Sequence, residues 1–177
     1  MGNKTRCAWC EKDDLYRDYH DNEWGNPVYE DDKLFEFLVL ETFQAGLSWH
    51  TILKKRDNFR KAFDQFNYKK IAQYGDAEIE RLMQDAGIIR NGLKIKGTIT
   101  NAIAFMETQK EFGSFSNYIW GFTDGNPIDN NPKTLKDVPA VNEISDVLSK
   151  DLKKRGFKFV GSTVVYAHMQ ATGMVND

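Results

Sequence analysis

The chain has 177 residues, which suffices for one hydrophobic core or two small lobes. Its 41% hydrophobic and 28% charged residues exclude extensive disorder, and no uncharged apolar run approaches the roughly 18 residues that a membrane span needs. The net charge is −2, and the first residues lack the apolar core of a signal peptide, so we expect a cytoplasmic protein with no membrane partner.

Basic residues are nevertheless clustered along the chain. Segments 54–61 and 150–158 each carry five bases against one acid, and segment 86–106 carries Arg90, Lys94 and Lys96 and no acid. Clustered bases in a mildly acidic protein suit a localised anionic partner such as a phosphate backbone, although solvated helix faces produce the same pattern.

The first distinctive motif is Cys7-Ala8-Trp9-Cys10, which is followed by His20. In a cytosolic chain, two cysteines at this spacing indicate a metal or redox pair rather than a structural disulfide. Thiolates and imidazole suit zinc, but a structural zinc site needs four ligands. His168 is a candidate for the fourth ligand, and it is equally a candidate core or surface histidine.

Residues 34–53 carry apolar side chains at helical spacing, and Glu41 completes the apolar stripe. A carboxylate at that position must be partnered, protonated or facing a cavity. Gly46 is expected to bend or end this helix. Together with Glu41, the nearby aromatic residues would form a pocket for a flat cationic ring: Trp9, Tyr16, Tyr19, Trp24 and Trp49. The alternative is an aromatic core in which Glu41 forms a salt bridge with a basic residue.

Helical periodicity continues along the chain, and no alternating pattern predicts strands. We predict a short helix capped by Asp57 or Asn58, a helix from Asp76, one with apolar residues from Ile95 to Met106, and two more over 141–154 and 162–172. Gly173 ends the last of these helices. Residues 123–134, rich in Pro, Gly, Asn and Asp, are predicted to form a surface loop.

The two helices on either side of Gly87 form a hairpin that resembles the helix-hairpin-helix element of DNA repair proteins. A glycine-bearing turn ahead of a helix directs free backbone amides towards a phosphate, and Arg90 and Lys94 on the following turns add positive charge. Ile89 stands where that element usually has a second glycine, so a plain helical hairpin remains an open alternative.

Five segments follow one another between Cys7 and Asp177: CAWC, LYRDYHDNEWG (15–25), LETFQAGLSW (40–49), LMQDAGIIRNGLKI (82–95) and KKRGFKFVGSTVVYAHMQATGMVND (153–177). Together they resemble the bacterial 3-methyladenine DNA glycosylase I family, within the helix-hairpin-helix DNA glycosylase superfamily. The resemblance implies an all-α fold in which two helical lobes flank a base-binding pocket. It also implies a single domain over residues 1–177, with the helix-hairpin-helix element at about 76–108 and the N- and C-terminal segments in the second lobe.

The resemblance implies an enzyme that flips 3-methyladenine out of alkylated double-stranded DNA and hydrolyses its N-glycosidic bond, leaving an abasic site and free 3-methyladenine. Glu41 matches the family's catalytic, base-recognising carboxylate. The residues that match its base-binding aromatic set are Tyr16, Tyr19, Trp49, Trp9 and Trp24. The residues expected to contact DNA are Gly46 and Leu47, in the turn that the family presses against the gap in the DNA, and Gly87, Arg90 and Lys94 of the hairpin.

The chemistry expected of such an enzyme is undemanding. Methylation at N3 makes the adenine ring cationic, so the ring leaves as a neutral molecule with little help from a general acid. An ionised Glu41 and electron-rich rings would favour this cation over ordinary adenine. No lysine lies among the matched pocket residues, so lyase activity is not expected, and nothing in the sequence requires more than a monomer.

The resemblance implies a zinc site, and this sequence contains two of its four ligands. The family anchors its termini with a zinc ion held by a cysteine and a histidine that match Cys7 and His20, and by a histidine and a cysteine just beyond the VND string. The sequence given stops at Asp177 and lacks the second pair, so Cys7 and His20 form a half-site.

Two other functions fit parts of the sequence. A non-catalytic helix-hairpin-helix module would use the hairpin and the basic clusters to bind DNA, but it has no need of Glu41 on an apolar stripe. A small zinc or redox protein built on the CAWC motif would leave the rest of the chain unexplained.

Overall fold

The computed structural model describes residues 6–177, and in this range helices are the dominant regular structure, as the sequence predicted. The helices are α1 (Asp14–Asn22), α2 (Asp31–Gln44), α3 (Trp49–Ala62), α4 (Tyr68–Ile71), α5 (Asp76–Gln84), α6 (Gly92–Phe112), α7 (Phe115–Trp120), α8 (Glu143–Lys154) and α9 (Ser162–Ala171). Short 3₁₀ turns at Ala8–Cys10, Asp64–Phe66, Gly121–Thr123 and Leu135–Asp137 complete the helical structure. None of the described helices combines the length and the apolar character that a bilayer span needs.

The apolar stretch 34–53 is divided between α2 and α3 by a turn at residues 45–48, which confirms the predicted interruption. Gly46 adopts a φ of +83°, a left-handed conformation that glycine reaches without strain. Ser48 then caps α3, because its hydroxyl accepts a hydrogen bond from the Thr51 amide at 3.2 Å. The predicted cap at Asp57 or Asn58 is wrong, since α3 continues through both residues.

The helical hairpin is formed by α5, the turn at residues 85–91, and α6. The predicted start at Asp76 is confirmed, and the Glu78 carboxylate accepts a hydrogen bond from the Gly75 amide at 2.7 Å. Asn91 caps α6, because its side-chain oxygen accepts from the Lys94 amide at 3.1 Å. Both helices of the hairpin therefore begin with a capping hydrogen bond.

Two strands of two residues each were not predicted. Strand β1 (Ile128–Asp129) pairs in parallel with β2 (Val175–Asn176), so the polar loop at 123–134 is fastened to the last residues described. Two residues are too few to show an alternating pattern. Gly173 follows α9 as predicted, with a φ of +72°, and a Cβ there would lie 2.5 Å from the backbone of Asn26. This close approach explains why glycine is required at the turn.

The core has two parts, and the smaller one positions the site. The larger part surrounds α2, which is buried along most of its length because other helices pack on several of its faces. The smaller part consists of Cys10, Tyr16, Tyr19, Phe37, Leu53 and Ala171. It joins α1 to α2, α3 and α9, and three tryptophans lie partly buried along its edge. The predicted division of residues 1–177 into lobes of one domain stays a prediction.

Candidate functional site

A cavity of about 240 Å³ lies where the smaller core meets the surface. The structure places all six predicted base-binding residues around it: Trp9, Tyr16, Tyr19, Trp24, Glu41 and Trp49. Tyr16 and Tyr19 share one face of α1, Glu41 lies in the last turn of α2, and Trp49 begins α3. Other lining residues were not predicted, among them Gln44, Leu135, Val138, Ala167 and Gln170. Only Gln44 carried a usable signal, because it lies three residues after Glu41 on the same helix.

Glu41 is a buried carboxyl group with an unsatisfied oxygen. The residue is 3% exposed, and its Oε2 has no hydrogen-bond partner within residues 6–177. Burial raises the pKa of Glu41 from 4.5 to about 8. The alternative of a core salt bridge is therefore wrong, because Glu41 has no basic partner among the described residues. Burial therefore favours the protonated form of this carboxyl group.

Two further polar atoms, on residues that line the cavity, are buried and unsatisfied. The Tyr19 hydroxyl and the Trp49 Nε1 have no hydrogen-bond partner among the residues that the structure describes. Burial raises the pKa of Tyr19, with the nearby Glu41 adding to the shift, so its phenol is neutral. Leaving a buried polar atom unpaired costs about 1–3 kcal/mol, so three such atoms on residues around one cavity make it suited to a polar ligand.

The aromatic rings of the cavity support one another. Trp9 lies against Tyr16 and Trp24, with ring centroids 4.9 and 5.3 Å apart, and Tyr19 lies 5.6 Å from Trp49. Rings held in this way present fixed faces and edges to a ligand. A flat ring with a positive charge and N–H donors would match both the electron-rich faces and the Glu41 oxygen.

The turn that carries Gly46 and Leu47 connects two residues that line the cavity. Its neighbours in sequence, Gln44 and Trp49, both line the cavity, and Leu47 is 41% exposed. An exposed leucine beside a base-sized cavity is suited to fill the space that an extruded base leaves in a duplex.

The backbone amide of Gly87 in the hairpin turn is not free, contrary to the prediction. The Gly87 amide donates to Asp85 Oδ1 at 2.8 Å and is not free for a phosphate. A Cβ at Gly87 would lie 3.2 Å from the Asn58 side chain, so the turn packs closely against α3 at this position. Within residues 6–177 the amides of Ile89 and Arg90 have no bonded partner, and the Arg90 side chain is exposed. These two amides replace Gly87 as the candidate phosphate donors.

Lys94 is buried and does not extend towards a phosphate, which corrects its predicted role. Its ammonium group donates to the carbonyl oxygens of Phe43 at 3.1 Å and Ala45 at 2.9 Å, and burial lowers its pKa. The hairpin is thereby joined to the end of α2 and to the turn at residues 45–48. The basic cluster in the sequence did not reveal which of its members is buried.

We expect Lys94→Met to lower the free energy of unfolding by about 2 kcal/mol, because two buried carbonyl oxygens lose their donor. Urea unfolding of the two proteins measures this difference. Lys96→Met is the matched control, since Lys96 is exposed on the same helix and its loss should change stability by less than about 0.5 kcal/mol. Equal effects of the two substitutions would contradict the buried role of Lys94.

The residues considered for zinc do not assemble into a complete site. Within residues 6–177, no three His, Cys, Asp or Glu side chains are placed to hold one metal ion. Cys7 lies at the cavity edge and burial raises the pKa of its thiol, while the His20 ring lies against Trp24. His168 is excluded as a ligand, because it is buried in the core and its Nε2 donates to the Leu34 carbonyl at 3.1 Å. Zinc binding by the half-site of Cys7 and His20 stays a prediction.

Comparison with known proteins gives a consistent result. The family model described as methyladenine glycosylase matches residues 9–177. DNA-3-methyladenine glycosylase 1 of Escherichia coli strain K12 is 49% identical over 97% of this chain and 92% of its own length. DNA-3-methyladenine glycosylase of Haemophilus influenzae is 47% identical over 98% of this chain and 94% of its own.

Solved structures agree with the sequence comparison. A crystal structure of 3-methyladenine DNA glycosylase I superposes with a TM-score of 0.95 at 48% identity, covering 98% of this chain and 95% of that one. A Staphylococcus aureus structure described as showing 3-methyladenine recognition superposes with a TM-score of 0.94 at 37% identity, covering 97% and 91%. On this evidence the chain belongs to the methyladenine glycosylase family.

Proposed function

We propose that this protein removes 3-methyladenine from alkylated double-stranded DNA by hydrolysing the N-glycosidic bond, which leaves an abasic site. The observation that carries the proposal is the set of three unpaired polar atoms, on Glu41, Tyr19 and Trp49, in one aromatic cavity. The names of the relatives from Escherichia coli and Haemophilus influenzae support the same substrate.

The cavity suits a base that is positively charged while it is attached to the sugar. When the C1′–N9 bond breaks, its electron pair passes to the ring and cancels the charge, and water adds to C1′ and releases a proton to solvent. A protonated general acid is not required for this step. The protein contributes mainly by binding the cation, which favours loss of the Glu41 proton and formation of a buried ion pair. Ordinary adenine carries no such charge and gains less.

We propose that the base reaches this cavity by flipping out of the duplex. The turn at residues 45–48 adjoins the cavity, and Lys94 bonds that turn to the hairpin. The exposed Leu47 would then enter the gap in the duplex while the amides of Ile89 and Arg90 hold a phosphate. Because described residues of one chain line the cavity and double-stranded DNA is the proposed substrate, we propose that the enzyme acts as a monomer in the cytoplasm.

The proposal is tested by incubating the protein with methylated duplex DNA and separating the released bases by chromatography. We expect 3-methyladenine to be released faster than in a parallel sample without protein, which corrects for spontaneous loss. The DNA strand should stay intact until alkali cleaves the abasic sites, because no lysine lines the cavity within the described residues. Binding of the DNA without release of a base would instead support the non-catalytic DNA-binding module.

A further inference from the structure

Two hydrogen-bonded pairs of an acidic and a basic residue join helices α1 and α3, one pair at each end of α1. At its start, Asp13 accepts the Tyr16 amide at 2.9 Å with one oxygen and His50 Nε2 at 2.6 Å with the other. Beyond its end, both oxygens of Glu23 accept from Arg56 Nη1 at 2.7 Å. Both basic residues belong to α3, so the two pairs bind the same two helices together at separate points.

The basic member of each pair also touches a tyrosine of the cavity. The His50 ring stacks on Tyr16, with centroids 4.8 Å apart and planes inclined by 11°. The Arg56 guanidinium lies over the Tyr19 ring, 5.8 Å from its centroid. Neither basic residue lines the cavity, so neither would touch a base bound there. Their influence on such a base would pass through the two tyrosines.

Apart from these pairs, helix α1 is held by its side chains in the smaller core and by the bond from Arg6 to Asp21. It is nine residues long, too short to be stable alone, and its buried side chains are Tyr16 and Tyr19. The Tyr19 hydroxyl cannot anchor the helix, because it has no hydrogen-bond partner among residues 6–177. The bases of the two pairs are more buried than the acids: the side chains of His50 and Arg56 are 14% and 15% exposed, and those of Asp13 and Glu23 are 36% and 35% exposed. Hydrogen-bonded pairs and stacked rings that are partly buried are screened less by solvent than those on an open surface.

We propose that His50 and Arg56 are positioning residues, which hold α1 on α3 at the separation that a flat base needs between Tyr16, Tyr19 and Trp49. The inference rests on the proposed function of the cavity. Loss of either pair would let α1 move away from α3 and widen the cavity, so that the rings contact the base less closely.

The test compares substitutions in these pairs with a matched pair elsewhere. His50→Leu removes the ring and its donor, and Asp13→Asn keeps an oxygen for the Tyr16 amide while removing the charge. Arg56→Met removes the second pair. The control is Arg60→Met, because Arg60 pairs with Glu36 at 2.7 Å and joins α3 to α2 instead of α1. His50→Gln is the conservative variant, since its amide can still donate to Asp13.

Affinity for free 3-methyladenine is measured by the change in tryptophan fluorescence, because Trp9, Trp24 and Trp49 line the cavity. We expect His50→Leu and Asp13→Asn to weaken binding about fivefold and Arg56→Met about tenfold. We expect His50→Gln and Arg60→Met to stay within about twofold of the wild type. Hydrogen exchange of the α1 amides should be faster in His50→Leu and Arg56→Met, with the α8 amides unchanged.

The experiments distinguish an error in the positioning role of His50 and Arg56 from an error in the proposed function. If the wild type binds 3-methyladenine and His50→Leu and Arg56→Met weaken binding no more than Arg60→Met does, the positioning role is wrong. If the wild type neither binds nor excises the base, the proposed function fails, and hydrogen exchange alone decides whether the pairs hold α1. Unchanged exchange in α1 would then overturn the inference as well.

Discussion

Replacing Glu41 with glutamine is expected to lower the rate of 3-methyladenine excision about 100-fold, which corresponds to about 2.7 kcal/mol. Glutamine has nearly the same shape but cannot become an anion, so the cationic base loses the partner that balances its charge. Glutamine also turns one N–H donor towards a ring edge that itself donates. The rate is measured in single-turnover reactions on methylated duplex DNA, after subtraction of spontaneous release.

A second glutamate on the same helix provides the control. Glu36 lies on α2, is only partly buried and pairs with Arg60 outside the cavity. Glu36→Gln should therefore excise 3-methyladenine within about twofold of the wild-type rate. If Glu41→Gln kept the wild-type rate as well, Glu41 would have no part in binding the cation, and the role proposed for the cavity would be wrong.

Sequence predicts those features of the site that follow from the spacing of neighbouring residues. Glu41 stands out because it interrupts an apolar stripe, and the structure finds it buried and facing a cavity. The break at Gly46 and the helix start at Asp76 follow from the same kind of local signal. The aromatic residues could be grouped with Glu41 because ring faces and a carboxylate suit the same flat cation, and the family resemblance then implied the same set.

What sequence could not predict depends on residues distant in the chain. Lys94 looked like a surface base, and its burial follows from carbonyl groups 49 and 51 residues away. Asp13 and His50 are 37 residues apart, and no sequence pattern around either residue predicts the contact between them. His168 could have been a ligand or a core residue, and only the packing of α9 against α2 decides between them.

The raised pKa of Glu41 means that ionising this carboxyl group lowers the free energy of unfolding of the protein without ligand. A buried carboxyl group that must ionise without a partner opposes folding, whereas the same group stabilises a bound cation. Binding and stability are therefore expected to respond to Glu41→Gln in opposite directions. The loss of excision would then not be explained by unfolding of the variant.

We expect Glu41→Gln to be more stable than the wild type at alkaline pH and nearly equal to it at acid pH. Between the unfolded pKa of 4.5 and the folded value of about 8, the folded wild type holds a proton that the unfolded chain releases. The free energy of unfolding of the wild type therefore falls as the pH rises through this range, and it levels off above about pH 8. At about 1.4 kcal/mol for each pH unit, the difference reaches up to about 5 kcal/mol.

Urea unfolding of both proteins at pH 5, 7 and 9 measures this difference at constant ionic strength. Glu36→Gln again serves as the control, and it should be less stable than the wild type at pH 7 because it breaks the ion pair with Arg60. A constant difference between wild type and Glu41→Gln across the three pH values would mean that Glu41 is not ionising in a buried site. Saturating the wild type with 3-methyladenine should remove much of its alkaline instability, because the ligand supplies the hydrogen-bond donors that the empty cavity lacks.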